Sequence, residues 1–115
     1  MSVSQAYLEA ARKLDPEAFV SLFAEDAVLH DPAAPGPLQG KEAIRAFYRG
    51  ICGSFRKLEV KEEGVLTQGH ATAFRFTCTG TTADGKSVSF PVMDVIETGA
   101  DGRIRTIRGY WTPPS

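Results

Sequence analysis

Two aspartic acids of this sequence fall on otherwise apolar faces, where a carboxyl group can do chemistry that water would suppress. Side chains alternate along a predicted strand over residues 86–97, so Asp94 points the same way as Val92 and Ile96. An ionised carboxylate buried there without a partner would cost several kcal/mol, so Asp94 is expected to be paired or protonated. The alternatives are an edge residue that leans to solvent and an acid that only stabilises the fold.

A second acid and two tyrosines are expected to face the same interior. Asp31 ends a predicted strand, on the face that carries Ala27 and Leu29. Tyr7 and Tyr48 belong to the apolar stripes of two predicted helices. Each also has an ordinary interpretation, because an Asp-Pro pair is typical of a turn and a core tyrosine often keeps its hydroxyl at a rim. The combination of two acids with two phenols is what favours a functional pocket.

Other reactive constellations are weaker. His30 and Asp31 are neighbours in a strand, so their side chains face opposite sides and a His–Asp dyad is not expected. His30 and His70 are the only histidines, and no cluster of acids or cysteines completes a metal site. The sequence contains no G-x-S-x-G elbow, phosphate-binding loop or dinucleotide fingerprint. We therefore expect neither a metal nor a cofactor.

Apolar residues at helical spacing predict three helices in the first half of the chain. Residues 3–14 carry an apolar stripe with helical spacing. Asp15-Pro16-Glu17 has the composition of a helix start and predicts a short helix from Glu17 to Ala24. A third helix, with one apolar face, follows Gly40.

The chain after residue 54 changes to the alternation that is typical of strands. The predicted strands in this part cover residues 55–62, 63–68, 71–81, 86–97 and 103–112. One earlier strand is predicted over residues 27–31. Asp84-Gly85 and Asp101-Gly102 supply turns between the later strands. Helices followed by an antiparallel meander indicate an α+β fold, with the helices on one face of the sheet. A long twisted sheet tends to curl, and its concave face then forms a pocket under the helices. Candidate lining residues on these strands are Phe74, Phe76, Phe90 and Val92.

Length and composition narrow the class of protein. The 115 residues suit one domain, with no internal repeat or linker, so residues 1–115 are expected to fold as one unit. A net charge of −1 argues against a nucleic-acid partner, and no run of about 20 apolar residues predicts a membrane span. The first residues lack the pattern of a signal peptide, and Cys52 and Cys78 are expected to be free buried thiols. A cytoplasmic enzyme or binding protein fits these features.

Residues 22–48, LFAEDAVLHDPAAPGPLQGKEAIRAFY, resemble the helix–strand–loop–helix signature of the ketosteroid isomerase-like proteins. These proteins belong to the superfamily that includes nuclear transport factor two and small polyketide cyclases. The resemblance covers nearly the whole chain, with one small length change between residues 49 and 93. It implies a cone-shaped α+β domain, in which a curved mixed or antiparallel sheet and three N-terminal helices enclose an apolar pocket.

The resemblance also implies a role for each candidate residue. Tyr7 falls on the family's oxyanion-hole tyrosine, and Tyr48 falls on the tyrosine that supports it. Asp31 falls on the general base. Asp94, in the segment FPVMDVIE, falls on the protonated aspartic acid that completes the oxyanion hole. Trp111, in RGYW, falls on an aromatic position that lines the steroid pocket.

The implied function is a cofactor-free isomerisation. A C=C bond of a 3-oxo-Δ5-steroid, or of a similar β,γ-unsaturated ketone, would move into conjugation by proton transfer through a dienolate. Two alternatives stay open: another small-molecule enzyme with the same pocket (an aldol or polyketide cyclase, a dehydratase or an epoxide hydrolase), and a non-catalytic ligand-binding or interaction domain. Relatives commonly form homodimers through the convex sheet face, which here would carry Ser87, Ser89, Pro91, Met93 and Val95.

Overall fold

Three helices and six strands make up residues 1–112, the part of the chain that the computed structural model describes. The elements are α1 (Val3–Lys13), α2 (Pro16–Val20), β1 (Phe23–His30), β2 (Leu38–Gln39), α3 (Lys41–Gly53), β3 (Phe55–Gln68), β4 (Ala71–Thr82), β5 (Ser87–Thr98) and β6 (Ile104–Tyr110). The helices lie in the N-terminal half and the long strands follow, which confirms the α+β prediction. None of the helices in this part of the chain is long and apolar enough to cross a membrane.

The helices begin where the sequence signals place them. Ser2 caps α1 through a capping box with Gln5, and Leu14 ends the helix in the left-handed conformation with φ 50°. The Asp15 carboxylate accepts a hydrogen bond from the Glu17 N–H at 3.1 Å at the start of α2, where Pro16 is the first helical residue. These caps fix the turn between the two helices.

The predicted end of the second helix is wrong. The helix stops at Val20, and Phe23 already starts β1. The apolar run after Ala18 suits a helix and a buried strand equally well, so tertiary contacts decide between them. Phe23 pairs with Ile104 of β6 and is fully buried, and the Leu22 carbonyl accepts the Ile104 N–H at 2.8 Å.

The six strands form one curved, mixed sheet in the order β2-β1-β6-β5-β4-β3. Strands β3 to β6 are the predicted antiparallel meander, but β1 pairs with β6 in parallel and β2 was not predicted. The strands predicted over 55–62 and 63–68 are one continuous strand, β3, whose register shifts between Glu62 and Gly64. A bulge of this kind interrupts the alternation of side chains, which is why the sequence pattern shows two shorter strands.

The core lies between the helices and one face of the sheet. Its fully buried side chains come from every layer and include Leu8, Val20, Phe23, Leu29, Ile44, Ile96 and Ile104. Helix α1 packs on β3, and α3 packs on β1 and α2. Near α1 and α3, the inward side chains leave a pocket instead of closing completely.

Candidate active site

The pocket has a polar group of four side chains in an otherwise apolar lining. The four are Tyr7 on α1, Asp31 after β1, Tyr48 on α3 and Asp94 on β5, so the structure brings together all four sequence candidates for chemistry. The rest of the lining consists of Ala11, Leu14, Phe19, Phe47, Ile51, Cys52, Phe55, Leu58, Phe76, Cys78, Phe90, Val92 and Trp111. Tyr7, Tyr48 and Asp94 are buried, whereas several of the aromatic side chains are partly exposed. The buried end of the pocket is therefore polar and its rim is apolar.

The two tyrosines share a hydrogen bond, with 2.8 Å between their hydroxyl oxygens. Tyr48 stacks on Phe19 at a centroid distance of 4.1 Å, and the Tyr7 ring meets Phe19 edge-on at 4.9 Å. These contacts fix both rings. Burial raises the pKa of Tyr7 and of Tyr48 well above the ordinary tyrosine value. Both groups therefore stay neutral and can donate hydrogen bonds over the whole physiological range of pH.

Asp94 is a neutral carboxylic acid at the middle of a strand. Its side chain is only 3% exposed and lies between Val92 and Ile96 on the inward face of β5, as the alternation predicted. Burial, with a smaller contribution from the negative charge of Asp31, raises its pKa to about 8. No hydrogen bond from residues 1–112 stabilises its charged form. The carboxyl group therefore favours its protonated form near neutral pH, and it lines the pocket.

Asp31 is held by two N–H donors. Its Oδ1 accepts from the backbone N–H of Ala33 at 2.9 Å and from the indole Nε1–H of Trp111 at 3.1 Å, and its Oδ2 lies 3.2 Å from the same indole nitrogen. Burial raises the pKa of Asp31, while the two donors act against that rise. Asp31 thus has hydrogen-bond donors that stabilise a negative charge, whereas Asp94 has no such donors among residues 1–112.

The contact between Trp111 and Asp31 was missed by the sequence reasoning, which gave Trp111 only a lining role. The signal that would have found it is the parallel pairing of β1 with β6, in which His30 pairs with Arg108. Trp111, three residues after Arg108 and just beyond the end of β6, is then placed near the end of β1. A parallel pair between strands so far apart in sequence leaves no local pattern, so the alternation could not show it.

Four of the five predicted lining residues, Phe76, Phe90, Val92 and Trp111, line the pocket. Phe74 does not, although it is on the same face; its ring meets the Tyr7 ring edge-on at a centroid distance of 5.9 Å. Phe74 instead stacks on the lining residue Phe76, with a distance of 5.6 Å between the ring centroids. Three aromatic side chains form a row along one wall: Phe90 stacks on Trp111 at 5.1 Å and faces Phe55 at 6.3 Å.

Two cysteines also line the pocket, and neither was predicted to do so. Cys52 and Cys78 are buried and not joined by a disulfide. Burial raises the pKa of the Cys52 thiol to about 11 and that of Cys78 to about 12. Both are therefore protonated and act as small apolar groups. Within residues 1–112, no three His, Cys, Asp or Glu side chains come close enough together to hold a metal ion.

Comparison with known proteins shows the family and the fold of this chain. The family model of the SnoaL-like domain matches residues 4–107, and the chain belongs to that family. A steroid Delta-isomerase of Nocardioides simplex is 36% identical over 107 residues, which cover 93% of this chain and 85% of the relative. A crystal structure of a hypothetical protein from Catenulispora acidiphila, described as having a ketosteroid isomerase-like fold and solved in complex with trimethylamine, superposes with a TM-score of 0.84. That match covers 96% of this chain and 85% of the other at 18% identity, so it shows the fold. The resemblance noted from the sequence is thereby confirmed.

Proposed function

We propose that this chain is a cofactor-free isomerase that moves a C=C bond of a 3-oxo-Δ5-steroid, or a similar β,γ-unsaturated ketone, into conjugation. The observation that carries the proposal is the contrast between two acids in one apolar pocket. Asp31 has two N–H donors for a negative charge, whereas Asp94 is buried with a pKa of about 8. The likeness to a steroid Delta-isomerase supports the same reaction class.

Asp31 is the proton carrier in this mechanism. As a carboxylate it removes the proton from the carbon between the ketone and the double bond, and the electrons move into a dienolate. It then returns the same proton two carbons further along, which places the double bond in conjugation with the ketone. The Ala33 and Trp111 N–H groups favour the ionised form of Asp31 before the first step, and they keep its side chain oriented while it carries the proton.

Tyr7 and Asp94 stabilise the dienolate. Its negative charge develops on the former ketone oxygen, and two neutral O–H donors directed at that oxygen lower the barrier with little reorganisation. Each donor is worth about 2–4 kcal/mol, by comparison with single oxyanion-hole donors in other enzymes. The Tyr7 and Tyr48 hydroxyl oxygens lie 2.8 Å apart. In the proposed mechanism Tyr48 is the donor of this hydrogen bond, which leaves the Tyr7 proton for the substrate and strengthens Tyr7 as a donor.

The lining supports a small, flat and hydrophobic substrate. The polar groups gather at the buried end, where the ketone would lie, while the wall formed by Phe55, Phe90 and Trp111 suits the faces of fused rings. Neither a cofactor nor a metal is needed for this reaction, since the proton that leaves one carbon is the proton that the other receives.

The direct test is turnover of 5-androstene-3,17-dione, followed by the rise in absorbance of the conjugated enone. Asp31→Asn should lower kcat by about 10²- to 10⁴-fold, which is the usual range for loss of a general base. Asp26→Asn is the matched control, because Asp26 lies on the same strand but is exposed and paired with Arg105. This control should keep wild-type turnover.

Three outcomes separate the alternatives. Turnover by the wild type that is lost only in Asp31→Asn supports the isomerase. Tight binding of an equilenin-type phenol without any turnover would instead favour another reaction in the same pocket. Absence of both turnover and phenol binding would favour an interaction domain.

A further inference from the structure

A glycine lies between the two acids of the pocket. Strand β6 lies between β1 and β5 in the sheet, and Gly109 of β6 pairs directly with Asp94 of β5. On the other side, Arg108 pairs with His30 at the end of β1, so the next position of β6 stands beside Asp31. Gly109 thus lies beside both acids.

The two carboxyl groups both lie close to Gly109, on the side where a side chain would point. A methyl carbon on Gly109 would lie 2.8 Å from Oδ2 of Asp31 and 3.0 Å from Oδ1 of Asp94. Two oxygens that lie 2.8 and 3.0 Å from one point can be at most 5.8 Å apart. The space that a side chain would fill at this position is therefore the space in which the two acids approach each other.

The backbone does not require glycine here. The glycines with positive φ are Gly40, Gly69, Gly85 and Gly102, and Gly109 is not among them. Glycine weakens the interior of a strand, because it costs more conformational entropy than other residues and has no side chain to pack. What glycine supplies at this position is room.

Asp31 is the acid that a side chain at Gly109 would displace. Asp94 is in the middle of β5 and almost fully buried, whereas Asp31 lies just beyond the end of β1 and is only partly buried. Oδ1 of Asp31 accepts two hydrogen bonds, from Ala33 and Trp111, while Oδ2 accepts one. Oδ2, the oxygen with fewer hydrogen-bond partners, is the one that lies nearest to a methyl carbon at Gly109.

We propose that Gly109 is a positioning residue, whose missing side chain lets the Asp31 carboxylate close toward Asp94 and so sets the distance between the proton carrier and the oxyanion-binding acid. The inference deepens the proposed isomerase and rests on it. According to this proposal, β6 sets the distance between Asp31 and Asp94, although this strand contributes no reacting group of its own.

Gly109→Ala tests this positioning role in the enone assay. The expected result is a fall in kcat of roughly 10- to 100-fold, because a misplacement of about 1 Å costs that much. KM and the affinity for an equilenin-type phenol, which reports on Tyr7 and Asp94, should change little. Gly64→Ala is the matched control, since Gly64 is also in a strand and an added methyl carbon there would meet no atom within 4 Å.

A carboxyl-carbon NMR titration of Asp94 gives a second measurement, which does not depend on turnover. Its other titratable neighbours in the pocket are Tyr7, Tyr48 and Cys78. The three atoms nearest to a methyl carbon at Gly109 all belong to Asp31 and Asp94, so we expect these neighbours to keep their positions in the variant. Displacing Asp31 reduces the repulsion that disfavours ionised Asp94, so the pKa of Asp94 should be lower in Gly109→Ala than in the wild type. Parallel losses of kcat, phenol affinity and melting temperature, with an unchanged titration, would overturn the proposal.

If Gly109→Ala folds poorly, the melting temperature of the double variant Gly109→Ala/Asp31→Ala provides a further test. The loss of melting temperature caused by Gly109→Ala should shrink in an Asp31→Ala background, because the clashing carboxylate is then gone. An equal loss in both backgrounds would contradict the proposal. If the wild type fails to isomerise the enone, the proposed reaction is wrong, and the titration and the double variant still decide the role of Gly109.

Discussion

At the scale of single residues, one side-chain type meets two different environments inside one pocket. Asp31 and Asp94 are chemically identical and both are partly or fully removed from water. The difference lies in their partners, because Asp31 accepts N–H hydrogen bonds from Ala33 and Trp111 while Asp94 faces apolar neighbours. The negative charge of Asp31 further disfavours a second charge on Asp94. The pair can therefore combine a base with a hydrogen-bond donor at one pH.

Replacement of Asp94 by Asn is expected to change how stability depends on pH. Between an ordinary carboxyl pKa of about 4 and the folded value of about 8, the folded chain holds a proton that the unfolded chain has released. The wild type therefore loses free energy of unfolding as the pH rises through this window, by about 1.4 kcal/mol per pH unit. Asn cannot ionise, so the stability of Asp94→Asn relative to the wild type should increase across the same window.

Urea unfolding of both proteins at several pH values measures this difference. The exposed Asp26→Asn variant is the control, and its stability relative to the wild type should not follow the same slope. A stability difference between Asp94→Asn and the wild type that stays constant with pH would mean that Asp94 ionises normally in the folded chain.

At the scale of elements, the sequence predicted what is local and missed what is long-range. The helix start at Asp15, the helix after Gly40 and the alternation along β5 are short patterns, and the structure has each of them. The start of β1 at Phe23 and the parallel β1–β6 pair depend on contacts between residues about 80 positions apart, which no short pattern encodes. The same distinction holds in the pocket. The inward direction of Asp94 followed from the alternation along β5, whereas the contact of Trp111 with Asp31 joins residues far apart in sequence and could not be predicted.

The β3–β4 hairpin provides a prediction at this scale. Strand β4 leaves no room for a side chain at Gly80, where a methyl carbon would lie 2.1 Å from the Lys57 carbonyl oxygen and 3.2 Å from the Leu58 Cα. Both are backbone atoms, so no side-chain rotation can relieve the clash. Gly80→Ala should lower the free energy of unfolding by about 1–3 kcal/mol, as overpacking does in other proteins. Gly64→Ala, in the same hairpin but with open space around it, should be nearly neutral in the same urea titration. Equal stabilities of the two variants would contradict this account of the hairpin.

At the scale of the whole molecule, the two faces of the sheet are divided between the pocket and an exposed surface. The inward face carries the acids, while the outward face presents a row across β5 and its neighbours. In this row Arg75 pairs with Met93 and Met93 pairs with Tyr110, and residues paired directly across strands lie on one face. Met93 is 52% exposed and Tyr110 is 58% exposed. Leu66, 75% exposed, lies on the same outward face through its pairing with Ala73.

An apolar surface of this kind on a small protein is typical of an interface, so we expect the outward face to pair with a second copy of the chain. Met93→Lys should then convert a dimer to a monomer in sedimentation velocity, because the charge would be buried at the centre of the contact without a partner. Val65→Lys is the matched control. Val65 is 51% exposed but pairs with Phe74, which points inward, so it lies on the other face of the sheet. A wild type that sediments as a monomer at every concentration, or a Met93→Lys variant as dimeric as the wild type, would exclude this interface. Since the acids lie on the inward face, loss of the dimer should leave phenol binding in the pocket intact, and the two faces can be tested separately.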